Sequence, residues 1–267
     1  MMKIEKARVS TGIEIEYSIS GMENNDTLLF IHGLGANLRQ FEMQQQYFEK
    51  DYRVLLVSLR GHGGSSPSSD PVLEDYTARE LALDVQALLQ HLGIRQVHVV
   101  GNSLGGLVGY ELLALDPDMF LSLTTFGTTP KLHVSGLILW ILQSMMRLFG
   151  SRGMARLISK TASKDKTVGA LYGEMYRSVS KDALLLISKN IGDYDYTDTI
   201  RMYSIPMMLI KGGLDSEINK NLEPLLEVLR ENPNFEFVEL VSAGHLANLD
   251  KPDEFNDELG RFLMRQR

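Results

Sequence analysis

The chain has no cysteine among its 267 residues. That excludes disulfide bridges, thiol nucleophiles and cysteine-ligated metal, whichever redox compartment it occupies. It also lacks a long uncharged apolar run. The best candidate, Val134 to Met146, falls short of a bilayer span and is interrupted by Gln143 and Ser144, so stable membrane insertion is not expected. The first ten residues carry no apolar core of the kind a secretory signal needs, which makes the cytoplasm the expected location. Positive charge is scarce as well: 27 Lys and Arg against 34 Asp and Glu give a net charge of −7. Such a chain, without a dense run of Lys and Arg, is not expected to bind nucleic acid or to take an anionic membrane surface as its main partner. Tryptophan occurs once, as Trp140. What remains is an ordinary globular composition, 44% hydrophobic and 23% charged, with enough apolar residues for a sizeable core.

Strand and helix signals alternate through the first half. Ile4 to Arg8 and Ile13 to Ile19 read as an antiparallel pair around Thr11-Gly12, because Ile13, Ile15, Tyr17 and Ile19 alternate onto one face. Thr27 to Ile31 and Tyr52 to Ser58 are apolar runs of buried-strand type. Thr77-Ala78-Arg79-Glu80 is a capping box that opens a helix with Leu81, Val85, Leu88, Leu89 and Leu92 on one face, and Gly93 ends it. This order argues for a mostly parallel sheet covered on both faces.

One stretch organises the rest. Val97-His98-Val99-Val100 reads as a buried strand, a helical run follows from Leu107 to Leu115, and between them stands Gly101-Asn102-Ser103-Leu104-Gly105. A serine with glycine two residues before and two after fits a strand-to-helix turn so tight that only glycine tolerates the close approach, which pushes the hydroxyl out above the sheet.

In this elbow the chain resembles the α/β-hydrolase family, and three further motifs in the right order extend the resemblance over nearly the whole chain. His32-Gly33-Leu34-Gly35 follows a strand, as the family's oxyanion loop does. The resemblance implies Leu34 and Leu104 as the two backbone N–H donors, and His32 as a brace for the loop. Lys211-Gly212-Gly213-Leu214-Asp215 ends a strand at the position of the family's acid, which implies Asp215, with Glu217 as the runner-up. Relatives often carry proline where Asn219 stands here. Gly244-His245, after the last strand and before Asp250-Lys251-Pro252, implies His245 as the catalytic base. One departure lies at Ser58, where relatives usually carry an aspartate, and it leaves the local partner of Arg60 open.

The resemblance therefore implies an α/β-hydrolase fold: a mostly parallel eight-stranded sheet with helices on both faces and a helical cap inserted after strand 6. The expected division is a core of 1–128 and 199–267 and a cap of 129–198, in which helical patterns run with no clear strand. The expected activity is that of a serine hydrolase of small-molecule esters, thioesters or lactones, using Ser103, His245 and Asp215 and needing no metal or cofactor. A carbon–carbon hydrolase of ring-fission products is the alternative, favoured if Arg147, Arg152 or Arg156 gripped a carboxylate. A slow-turnover ligand receptor is a third reading. Trp140 and Met145 are the cap residues expected to face an apolar acyl or aryl group. Most of the apolar residues around them (Leu137, Ile141, Met146, Leu148, Phe149) are expected to pack the cap's own small core, and a lipid-surface role for the helix is a minor further reading. Oligomeric state is left open.

Overall fold

Residues 2–267 are described by a computed structural model. The chain opens with the expected antiparallel pair, β1 (Glu5–Arg8) and β2 (Glu14–Ser20). There follow β3 (Thr27–Ile31), α1 (Glu42–Phe48), β4 (Arg53–Val57), α2 (Ala78–His91), β5 (Val97–Asn102), α3 (Leu104–Leu115) and β6 (Phe120–Phe126). An insert comes next: β7 (Lys131–His133), α4 (Gly136–Thr161), α5 (Lys166–Arg177), α6 (Lys181–Asn190) and β8 (Asp193–Asp195). The chain returns through α7 (Thr197–Met202), β9 (Met207–Gly212), α8 (Ser216–Asn219), α9 (Glu223–Leu229), β10 (Phe235–Leu240), α10 (Ala247–Asp250) and α11 (Pro252–Met264).

Eight strands form one sheet in the order β1-β2-β4-β3-β5-β6-β9-β10. β2 is antiparallel to both neighbours, and every other pairing is parallel. Because side chains alternate across a strand, the central strands feed two cores. Leu29, Ile31, Leu55, Val57, Val97 and Val99 face α2 and α3, where Leu81, Val85, Leu88, Val108 and Leu112 meet them. Leu28, Phe30, Val54, Leu56 and Val100 face the other way, toward Phe48 of α1 and Phe255, Leu259 and Phe262 of α11. Burial on both faces is what a continuous apolar run requires. Thr77 caps α2 as expected, accepting from the Glu80 N–H at 3.2 Å.

The insert departs from expectation in one place. β7 and β8 pair antiparallel at its neck, where no strand is expected, with Lys131 and Asp195 joined across them at 2.7 Å. Lys-Leu-His and Asp-Tyr-Asp are too short and too charged to give a strand signal. Within the insert α4 is two helical stretches that meet at a kink, where Gly150 adopts φ +60°, in keeping with the helical patterns of the sequence. Outside the insert, α9 is an unforeseen helix, although Leu222, Leu226 and Leu229 bury at helical spacing. Among the described residues no helix is long and apolar enough to cross a membrane.

Candidate active site

The elbow between β5 and α3 is set by two close approaches. A Cβ on Gly101 would run into the Gly105 carbonyl, and one on Gly105 into the Ile31 carbonyl of the adjacent strand. Nothing larger than glycine fits at either position. The turn forces Ser103 to φ +51°, the sole non-glycine residue with positive φ among those described. A serine in that region carries strain of about 1–3 kcal/mol, held by a bond from its own N–H to the Phe126 carbonyl at 2.9 Å.

Asp215 stands in the loop after β9 and caps α8, and its carboxylate is buried. Its Oδ2 lies 2.7 Å from Nδ1 of His245, which follows β10. With the carboxylate ionised, Nδ1 carries the hydrogen and Nε2 is left with its lone pair. Glu217, two residues on, is exposed at the rim of the same cavity, makes no bond to His245 and pairs with Lys220. Asn219 stands where relatives carry proline, and its Nδ2 donates to the Gly212 carbonyl at 2.9 Å, which holds the Asp215 loop by a different route.

The His245 loop is tied to the elbow through Asn102. Asn102, the residue before the serine, donates through Nδ2 to the His245 carbonyl at 3.2 Å and accepts through Oδ1 from Gln40 at 2.9 Å. Gln40, Gln44, Asn248 and Asn256 extend this into a buried amide network. Among the described residues no hydrogen bond joins the Ser103 hydroxyl to the imidazole. Catalytic hydrogen bonds in ligand-free hydrolases are often long and tighten on binding.

The His32–Asn37 loop lies against the elbow, so close that a Cβ on Gly33 would come 2.8 Å from Asn102 Oδ1 and 3.3 Å from Ser103 Cβ. Neither the Leu34 N–H nor the Leu104 N–H has a protein acceptor among the described residues. The loop is clamped by two buried histidines whose rings stand 4.9 Å apart. His32 Nε2 accepts from the Leu59 N–H at 2.9 Å, so Nδ1 carries its hydrogen and donates to the Gly33 carbonyl at 2.7 Å. His62 works in the same tautomer, between the Arg60 carbonyl and, at a long 3.4 Å, the Gly35 N–H. Burial, and then the neighbouring His62, hold the His32 pKa well below its ordinary value. Burial lowers that of His62 to about 4, as it does for His98.

These shifts predict acid sensitivity. A histidine whose pKa is lowered by folding leaves the native state with fewer protons than the unfolded chain, so its contribution is full above pH 6.5 and is lost as pH falls toward 4. At pH 5, His62 and His98 should each cost about 2 kcal/mol. Urea unfolding at pH 7.5 and 5.0 measures this. Equal midpoints would mean that both rings are protonated in the folded protein.

Three partners of the site carry no local sequence signal as strong as the motifs. The Tyr172 hydroxyl of α5 donates to the Leu34 carbonyl at 2.5 Å, tying the insert to the His32–Asn37 loop. Asp250 accepts from the Gly244 N–H at 2.7 Å and from Ser163 of the insert at 2.5 Å, tying it to the His245 loop. Its place in Asp250-Lys251-Pro252 was the one available hint. Arg60 finds the partner that Ser58 does not provide in Asp84 of α2, a buried two-pronged pair at 2.7 and 2.8 Å. An aspartate among Leu81, Val85 and Leu88 was the clue to it.

Beside His245 and Asp215 lies an open cavity of about 830 Å³, walled on the insert side by Ser159 to Lys166. Ser103, Leu34 and Leu104 do not line it, and neither do Trp140 and Met145, the insert residues expected to face substrate. Trp140 projects to solvent and Met145 leans on the core. The reason is that α4 is apolar on every side, so its sequence does not say which face turns inward. Arg147, Arg152 and Arg156 are exposed and do not line the cavity either.

A strand-to-helix elbow bearing a strained serine, with a histidine–carboxylate pair on the loops after the last strands of a mostly parallel sheet, is the arrangement of a hydrolase. The family profile described as the alpha/beta hydrolase fold matches residues 26–252, and the chain belongs to that family. The chain is 27% identical over 267 residues to 3-oxoadipate enol-lactonase 2 of Acinetobacter baylyi, covering 95% of this chain and 94% of that protein. Among solved structures, the enol-lactonase of Burkholderia xenovorans superposes with TM-score 0.84 at 23% identity, over 97% of this chain and 100% of that one. A thermophilic esterase from Thermogutta terrifontis does so with TM-score 0.84 at 20% identity, over 99% of both chains. At those identities the two structures speak for the fold alone.

Proposed function

We propose that the protein is a serine hydrolase of small-molecule carboxylic esters, thioesters or lactones with an apolar acyl or aryl group, and that Ser103, His245 and Asp215 are its triad. The observation that carries this reading is the 2.7 Å bond from His245 Nδ1 to Asp215, made on a loop whose His245 carbonyl is bound to the residue beside Ser103. The curated relative named an enol-lactonase agrees with it.

A serine hydroxyl is a weak nucleophile at neutral pH. His245 Nε2 takes its proton as Oγ attacks the carbonyl carbon. The Leu34 and Leu104 N–H groups receive the oxyanion, each worth about 3–4 kcal/mol in the transition state. As the tetrahedral intermediate collapses, His245 protonates the departing alkoxide or thiolate. Water then gives its proton to His245 and attacks the acyl-serine, and the acid leaves with Ser103 restored. Asp215 keeps the imidazole in the useful tautomer and stabilises the imidazolium. In this reading 129–198 forms a cap over a core of 1–128 and 199–267. The carbon–carbon alternative is favoured by an insert cation that grips a carboxylate; Arg147, Arg152 and Arg156 do not line the cavity, whereas Lys160, Lys164 and Lys166 do.

The test is hydrolysis of p-nitrophenyl esters from acetate to dodecanoate, with an enol-lactone alongside. Turnover in the ordinary enzyme range, about 1–10³ per second, with a chain-length optimum is expected. Well-folded protein that cleaves neither ester nor lactone would overturn the reading.

A further inference from the structure

The outer face of α4 is the largest unexplained feature of the surface. At roughly 100° per residue, Leu137, Trp140, Ile141 and Leu148 fall within an arc of about 100° in the stretch before Gly150. They are 68%, 62%, 45% and 77% exposed. Phe149, also exposed, widens the stripe. The opposite side of the same stretch is the one that seats the helix. Met146 is buried there, and Leu139 lies against Gly192. A helix that is apolar all round normally belongs in a core or at a membrane. Single exposed apolar side chains are commonplace, but four of them within one arc, with a tryptophan at its edge and only Ser144 among them, mark an interaction surface.

Charge says what that surface meets. From Gly136 to Gly173 the chain carries six cations, Arg147, Arg152, Arg156, Lys160, Lys164 and Lys166, against a single acid, Asp165. This is so within a protein of net charge −7. Asp165 is engaged in capping α5 through the Thr167 and Val168 N–H groups. The three arginines and Lys160 are exposed, and none of them is in an ion pair among the described residues. After Gly150, Arg152, Arg156 and Lys160 recur every fourth residue, a basic stripe on one side of the second stretch. The overall acidity that argued against an anionic surface is thus reversed locally.

We propose that the outer face of α4 docks the protein reversibly on an anionic phospholipid surface, with Leu137, Trp140, Ile141 and Leu148 entering the headgroup–acyl boundary and Arg147, Arg152 and Arg156 meeting lipid phosphates. Exposed Trp and Leu with Arg147 in the same stretch, followed past Gly150 by Arg152 and Arg156, have the composition of an interfacial helix. A second copy of the chain fits the same face less well. A two-fold contact sets the same patch against itself and would bring the arginines of one copy against those of the other. Docking of this kind holds α4 against the bilayer while Ser159 to Lys166, at its end and beyond, wall the cavity beside His245.

Trp140 is the chain's one tryptophan, so fluorescence excited selectively at tryptophan, beyond the absorption of the ten tyrosines, reports on the surroundings of this one side chain. The readout does not depend on ester hydrolysis, so its failure is distinct from failure of the catalytic reading. Vesicles of phosphatidylglycerol and phosphatidylcholine should move the emission to shorter wavelength and co-sediment the protein. Pure phosphatidylcholine should do so far less, and added salt should reverse the effect. The triple variant Arg147→Gln, Arg152→Gln, Arg156→Gln should partition about 100-fold more weakly, and Leu148→Ser should weaken binding with the circular dichroism unchanged. Unchanged emission of the wild-type protein with anionic vesicles at low salt would overturn the proposal. So would a shift that appears without lipid as protein concentration rises, together with a dimer in sedimentation, because the face would then belong to a second copy.

Discussion

Ser103→Ala is expected to fold as the wild type does and to lose ester turnover by on the order of 10⁶-fold. Alanine keeps the Cβ, so the elbow strain is unchanged, and it makes no demand on the Phe126 carbonyl, which is bound by the backbone N–H. What goes is the one atom that attacks. Ser103→Gly separates the two properties of the position. It should be equally inactive, yet more stable by about 1 kcal/mol, because glycine adopts φ +51° without a Cβ penalty. Turnover of p-nitrophenyl butyrate and thermal unfolding of both variants measure this. Residual activity near wild type in Ser103→Ala would mean that another group attacks. A less stable Ser103→Gly would mean that the serine side chain, and not its backbone, holds the elbow.

The contrast between these variants bears on what sequence can disclose. Gly101 and Gly105 are legible because the need for them is local: each has a backbone atom where a Cβ would stand, and no other residue meets that condition. The strands of the sheet are legible for a similar reason. Leu28 to Ile31 and Val54 to Val57 are apolar at every position because both faces of the sheet are covered. Asp215 and His245 could be named from their places after two strands, and the structure puts them 2.7 Å apart. The rest of the site is made of contacts between segments far apart in the chain. Tyr172 reaches Leu34 across 138 residues, and Ser163 reaches Asp250 across 87. No local pattern at Tyr172 tells a tyrosine that holds a carbonyl from one that fills a core.

The insert fails for the opposite reason. Its helices are plain from periodicity, but α4 offers apolar residues to every side, so Trp140 and Met146 look equivalent in sequence. The fold sends one to solvent and buries the other. The short strands β7 and β8 are defined by each other, and neither has the length to be seen alone. Arg60 is an intermediate case. Its partner could be sought once Ser58 was seen to lack a carboxylate, yet choosing Asp84 required knowing that the buried face of α2 lies beside the Arg60 loop.

Asp215→Asn should lower kcat by about 10⁴-fold with little change in KM or stability, whereas Glu217→Gln should leave all three unchanged. The two carboxylates are two residues apart, and the fold treats them oppositely. Asp215 is buried, with Oδ2 on the imidazole, while Glu217 is exposed and paired with Lys220. Asparagine preserves the shape but can present its amide N–H to Nδ1. The ring then carries its proton on Nε2, where the base is needed, and no negative charge faces the imidazolium that forms as Ser103 attacks. KM for a neutral ester is spared because Asp215 acts through His245 and not on the substrate. A matching loss in Glu217→Gln, or a Asp215→Asn enzyme within tenfold of wild type, would reassign the acid. A rise in KM alone would place Asp215 in substrate binding and leave His245 without an orienting partner, which its 2.7 Å bond argues against.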